Sequence, residues 1–287
     1  MEISLIQNIV YIFSSILFIT GIKMLGKEDT AVKGNFLSAI AMFVAVLVTF
    51  INISNPLILI AGIGLGAFIG SLIALKVKMT SIPEMVALFN GFGGLATFLI
   101  AWSEFNSTPD NLFQYILVMT TVYVGGITFT GSLVAYAKLS EKIQIAKTSI
   151  ITKLFTTMFY ISLVFLLYSA IVTPLLVTNF EFFTVLLVLT LLGGIGFVLP
   201  IGGGDMPVVI SLLNSLSGIA AAFAGLILLN NVLIVAGSLV GASGLILTII
   251  MAKAMNRSIS NILFVGYASA SSSKSSEEQG EVNPINV

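Results

Sequence analysis

Nine apolar runs restrict this chain more than any other feature. They cover 5–22, 35–53, 57–75, 83–103, 112–137, 150–172, 182–199, 207–229 and 232–252. Crossing ~30 Å of hydrocarbon takes about 20 apolar residues in a helix. Inside lipid the backbone must satisfy its own hydrogen bonds, which leaves helices or closed barrels. The runs are too long for barrel strands, and none holds lysine, arginine, aspartate or glutamate at mid-depth. An all-α integral membrane protein of nine transmembrane helices is expected over 1–268. Composition agrees, because only 8% of the residues are charged, against about a quarter in soluble domains.

Turn residues separate the runs: Asn55-Pro56, Pro109-Asp110 and Gly202-Gly203-Gly204-Asp205. The faintest boundary is Asn230-Asn231. Merging its two neighbours would give a single helix too long for a bilayer, so two helices are expected. Basic residues should precede the apolar stretch of a cleaved signal peptide. Here the chain opens Met1-Glu2 and the first lysine is Lys23, so the first run is expected to remain as a helix.

The basic residues orient the array. Lys23, Lys27 and Lys33 follow the first run, and Lys76 and Lys78 the third. Lys138, Lys142, Lys147 and Lys153 flank the connection after the fifth; Lys253, Arg257 and Lys274 follow the ninth. Nine alternating crossings put all twelve on one side. The positive-inside rule makes that side cytoplasmic, with the N-terminus external and the C-terminus cytoplasmic. Residues 269–287, rich in serine and glutamate, read as a flexible linker.

Formal net charge is zero, which gives no reason to expect a nucleic-acid partner. Cysteine and histidine are both absent. Thiolate chemistry is therefore excluded, along with the usual proton carrier and the commonest metal ligand. Intramembrane polarity is neutral: Asn90, Thr97, Thr128, Thr130, Ser132, Tyr136, Ser211, Asn214, Ser215, Ser217, Ser238 and Ser243. Serine and threonine in such helices commonly bond their own backbone or a neighbouring helix. An asparagine amide has more hydrogen-bonding capacity than its own helix can meet. Asn90 and Asn214 therefore need a partner helix, water or a ligand.

The two asparagines sit in matching segments. Residues 82–96 align without a gap on 206–220, pairing Pro83 with Pro207, Asn90 with Asn214, Gly94 with Gly218 and Ala96 with Ala220. Proline suits the first turn of a helix. Seven residues further, at ~1.5 Å each, both asparagines lie ~10 Å below that proline. A parallel repeat of helices 3–5 and 7–9 is expected, an arrangement that places transport sites at the repeat interface. Helix contact is expected along Gly62, Gly66 and Gly70, and along Gly237 and Gly241. The Gly-rich turns are not nucleotide loops, since no preceding strand is available.

Several stretches are similar to the beta subunit of the proton-translocating NAD(P) transhydrogenase. They are Lys78-Met79-Thr80 with Pro83-Glu84-Met85-Val86-Ala87, Phe129-Thr130-Gly131-Ser132, and the stretch Pro200-Ile201-Gly202-Gly203-Gly204-Asp205-Met206-Pro207-Val208-Val209. Leu213-Asn214-Ser215, Ser217-Gly218 and Lys253-Ala254-Met255-Asn256-Arg257-Ser258 complete the resemblance. It implies a proton channel in a bacterial inner membrane, built with the membrane helices of alpha subunits in a dimeric complex. Proton movement would be coupled to hydride transfer from NADH to NADP⁺ in soluble domains.

No βαβ pattern or dinucleotide fingerprint occurs before Val287. The chain therefore resembles the membrane part alone, without nucleotide sites or activity of its own. NADP(H) and NAD(H) belong to the full complex, and the tail would lead towards an NADP(H)-binding domain. The resemblance implies a proton path along Asn90, Asn214, Ser132, Ser215, Ser217 and Thr130. It gives Gly237, Gly241 and Gly244 to the channel wall, and coupling to the NADP(H) domain to Asp205, Glu84 and Arg257. Independently, Asp205 before Met206-Pro207 reads as a helix N-cap. Many members hold a histidine where this chain has Asn90, so a titrating group would come from the partner's helices. A secondary transporter of a small neutral solute and a structural scaffold subunit are the alternatives.

Overall fold

A computed structural model describes residues 2–52, 56–106, 112–143, 149–172 and 180–268. The expected linker 269–287, Lys147, Lys274 and the Pro109-Asp110 turn lie outside the described residues. Asn55 does too, so half of the Asn55-Pro56 turn is undescribed. Among the described residues, nine helices are long and apolar enough to cross a membrane. They are α1 (Glu2–Leu25), α2 (Glu28–Thr49), α3 (Pro56–Lys76), α4 (Ile82–Asn106), α5 (Leu112–Leu139), α6 (Ile150–Val172), α7 (Phe180–Val198), α8 (Met206–Ile227) and α9 (Asn231–Ala254). A tenth helix, α10 (Ile259–Ala268), was not expected. At ten residues it is too short to register as a span. Ser258 caps it by accepting the Asn261 N–H at 3.1 Å.

α5 is the central helix, packed on α4, α7 and α8. α6 lies on α7, α9 on α8, and the α1–α2 hairpin reaches the rest through α9. One cluster of buried side chains unites Val134, Val198, Leu199, Met206, Val209 and Leu213. A second joins Phe105, Tyr115, Val118, Phe183 and Leu186, with the Phe105 and Phe183 rings stacked at 3.7 Å. Lipid offers no hydrophobic drive for helix association, so close backbone approach and polar links hold such bundles. α8 and α9 meet through glycine. A Cβ on Gly218 would lie 2.7 Å from Gly241 Cα and 2.8 Å from the Gly237 carbonyl.

α3 differs from its neighbours. It buries none of its residues, and Gly62, Gly64, Gly66 and Gly70 have no atom within 4 Å of an added Cβ. The glycine stripe expected to make a helix contact meets none among the described residues. α7, its counterpart in the expected repeat, buries Gly193, Gly194 and Gly196 in the bundle.

The doubtful boundary at Asn230 is a built turn. Leu229 takes a left-handed φ of 53°, and Asn230 N–H donates back to the Gly225 carbonyl at 2.8 Å. The Asn230 side chain then caps α9 by accepting from Leu233 N–H at 3.0 Å. α9 ends the same way, with Asn256 at φ 52° and Arg257 N–H donating to Ala252 at 2.9 Å.

Candidate functional site

Three of the sequence-derived polar residues meet in one node. Ser217 of α8 donates to the Asn90 amide oxygen at 2.7 Å, and the Asn90 amide nitrogen donates to Ser132 of α5 at 2.9 Å. Asn90 belongs to α4, so one side chain joins three helices. The position depends on small residues: a Cβ on Gly91 would lie 3.2 Å from Ser132 Cβ, and one on Gly94 2.9 Å from the Gly125 carbonyl. Ser132 is fully buried, while Asn90 and Ser217 are half-buried.

Asn214 lies one turn before Ser217 on α8 and is half-buried. Among the described residues nothing hydrogen-bonds its amide. At that depth in an apolar helix an amide keeps its free donors and acceptor only if water or another helix supplies partners. The two matching asparagines thus differ: Asn90 is bonded at both ends, and Asn214 is open.

The remaining hydroxyls face elsewhere. Ser215 donates to the Gly241 carbonyl at 2.6 Å and Ser211 to the Gly244 carbonyl at 3.1 Å, both tying α8 to α9. Gly237 and Gly244 are buried against α8, and a Cβ on Gly244 would lie 2.9 Å from Ser215 N. Thr130 donates to Gly126 of its own helix at 3.1 Å and lies against Gly194 of α7. The structure therefore brings Asn90, Ser132 and Ser217 together, and Asn214 beside them. It sets Ser215 and Thr130 on other helix contacts.

Charge gathers at the end of the bundle where α7 leads into α8. Asp205 occupies the N-cap position of α8, yet its carboxylate makes no capping hydrogen bond. It points to Arg257 instead, with Nε to Oδ1 at 3.9 Å. Asp205 is mostly shielded and Arg257 half-exposed, so the pair spans from the start of α8 to the turn after α9. Glu84, half-buried in the first turn of α4, has no ion pair among the described residues. Among those residues, no group of acidic, histidine or cysteine side chains could hold a metal.

Sequence reading missed Lys138. Its Nζ donates to the carbonyls of Leu199 at 2.5 Å and Ile201 at 2.6 Å, with Val198 O at 3.5 Å. The signal was present: a lysine closing α5, and a Pro200 just past α7 that supplies no N–H to the last carbonyls of the helix.

The family model described as NAD(P) transhydrogenase beta subunit matches residues 7–287. The NAD(P) transhydrogenase subunit beta of Rhodospirillum rubrum is 34% identical over 270 residues, in two versions of that protein. The match covers 90% of this chain and 58% of the relative, so the chain spans little more than half the length of the relatives it matches.

Proposed function

This chain belongs to the NAD(P) transhydrogenase beta subunit family, and we propose that it forms the proton-conducting membrane part of such an enzyme. Its basic end would face the cytoplasm of a bacterium, with the N-terminus external. Proton movement through it would drive hydride transfer from NADH to NADP⁺ in soluble domains. An alpha subunit would supply the remaining membrane helices of a dimeric complex.

The observation that carries this reading is the contrast between the two asparagines. An amide passes no proton along itself near neutral pH, so the Ser217–Asn90–Ser132 chain acts as a polar strut between helices. Conduction then needs water, and the open amide of Asn214 is where this chain offers water a hydrogen-bonding site. Proton movement by water also needs a group that binds and releases it at set moments. With no histidine in the chain, the partner's helices are the first candidate for that group. Ser215, Gly237, Gly241 and Gly244 at the α8–α9 contact, and Thr130 against α7, would form the wall beyond the strut.

Asp205, Glu84 and Arg257 stand at the end where α8 begins, and there the NADP(H)-binding domain would act on the bundle. Because α8 carries both Asp205 and Asn214, a shift at one end reaches the water site as a helix displacement. The alike segments 82–96 and 206–220 would then be the two repeat halves that meet at the path.

The test uses full-length beta subunit reconstituted with its alpha subunit in vesicles. Asn214→Ala is expected to cut proton movement per hydride transferred while both nucleotides still bind. Unchanged proton-coupled turnover in that variant would show that the path runs elsewhere.

A further inference from the structure

The loop between α7 and α8 is anchored at one end only, where Leu199, Pro200 and Ile201 are buried. Pro200 gives it no N–H, and Gly203 and Gly204 have no atom within 4 Å of an added Cβ. Its own backbone bonds are short-range, Ile201 N–H to Val198 O at 3.1 Å and Asp205 N–H to Gly202 O at 3.1 Å. Yet the loop fixes where Asp205 stands and how α8 enters the bundle. Beside the Asp205–Arg257 pair, one polar attachment joins its buried end to α5. The Lys138 ammonium, 61 residues earlier in the chain, donates to Leu199 and Ile201 on either side of Pro200. A positive charge also suits the carbonyl end of α7, and hydrogen bonds from a charged donor are the stronger kind.

We propose that Lys138 is a positioning residue for proton coupling: it fastens the α7–α8 loop to α5. Ser132, six residues earlier on α5, accepts from Asn90. The latch therefore ties the stretch leading to Asp205 to the helix that carries one end of the polar strut. Without it only apolar packing holds Leu199 and Ile201 to α5. A push on Asp205 then moves α8 and the loop together, instead of moving α8 against a fixed α5. This rests on the transhydrogenase reading for its consequence, but its geometry does not.

Two measurements on the intact complex, full-length chain with alpha subunit, separate the two claims. The first is amine acylation of the wild type, each lysine normalised to its rate in the unfolded protein. Lys138 is expected to react about tenfold more slowly than the exposed Lys78 and Lys153, since its hydrogen bonds must open first. Reaction at the rate of those two overturns the latch whatever the enzyme does.

The second compares Lys138→Met and Lys138→Arg for protons moved per hydride in sealed vesicles and for hydride transfer in leaky ones. Lys138→Met is expected to lower the ratio to less than about half while leaky turnover stays near wild type. Lys138→Arg, which still donates to carbonyls, is expected to restore it. A wild-type ratio in Lys138→Met overturns the proposal, as does equal loss in both variants. Wild-type vesicles that move no protons would count against the functional reading alone. If Lys138→Met does not assemble, the acylation result decides.

Discussion

Ser217 and Asn90, separated by 127 residues of sequence, are joined by a 2.7 Å hydrogen bond between α8 and α4. The same amide donates to Ser132 on α5, so removing Asn90 strips partners from two hydroxyls at once. Polar links of this kind in membrane bundles contribute about 0.6 kcal/mol each and up to ~1.7.

Asn90→Ala is therefore expected to destabilise the folded chain by about 1–2 kcal/mol. A cycle with Ser217→Ala should leave a coupling energy of about 0.6–1.7 kcal/mol, read from reversible unfolding in detergent mixtures. Additive single effects would mean that the two residues do not bond in the membrane.

Asn214→Ala should behave in the opposite way. Among the described residues its amide bonds nothing, so its removal is expected to change stability by less than ~0.5 kcal/mol in the same unfolding measurement. A loss as large as that of Asn90→Ala would reveal a protein partner for Asn214 and weaken the case for a water site.

How far the sequence predicted this arrangement varies from residue to residue. The nine spans are legible because a run of apolar residues has few other places to go, and Asn230 marks a boundary because its side chain caps a helix. α10 is not legible, being shorter than a span and preceded by the exposed basic turn of α9. Asn90, Ser132 and Ser217 are all among the path residues that the resemblance implies, but their meeting depends on how α4, α5 and α8 are rotated, which hydrophobic pattern leaves open in helices that are apolar all round. The same freedom separates Thr130 and Ser215 from the strut, since each finds a backbone carbonyl first. Lys138 looked like one more cytoplasmic charge because its acceptors are carbonyls, and carbonyls have no residue identity.

Glycine gives a paired test of which helix faces are packed. Gly218→Ala places a methyl group against the α9 backbone, and overpacking of this sort costs ~1–3 kcal/mol. Gly62→Ala on α3 meets open space and should be neutral or up to about 1 kcal/mol stabilising from helix propensity. Thermal unfolding of the detergent-solubilised chain separates the two. Equal effects would mean that α8 and α9 are not in backbone contact.

The turn between α8 and α9 offers a substitution in the stabilising direction. Leu229 holds a φ of 53°, a left-handed conformation that costs a side chain with a Cβ roughly 1–2 kcal/mol. The residue is 85% exposed, so its side chain returns almost no packing for that strain. Glycine adopts the conformation freely but gives more entropy to the unfolded chain. The difference leaves Leu229→Gly stabilising by about 0.5–1 kcal/mol. Leu229→Asn, which tolerates the same backbone without that entropy, should do at least as well. Leu229→Val, β-branched, should be the worst of the three. Midpoints of unfolding ranked with valine above glycine would mean that the 225–230 turn closes some other way.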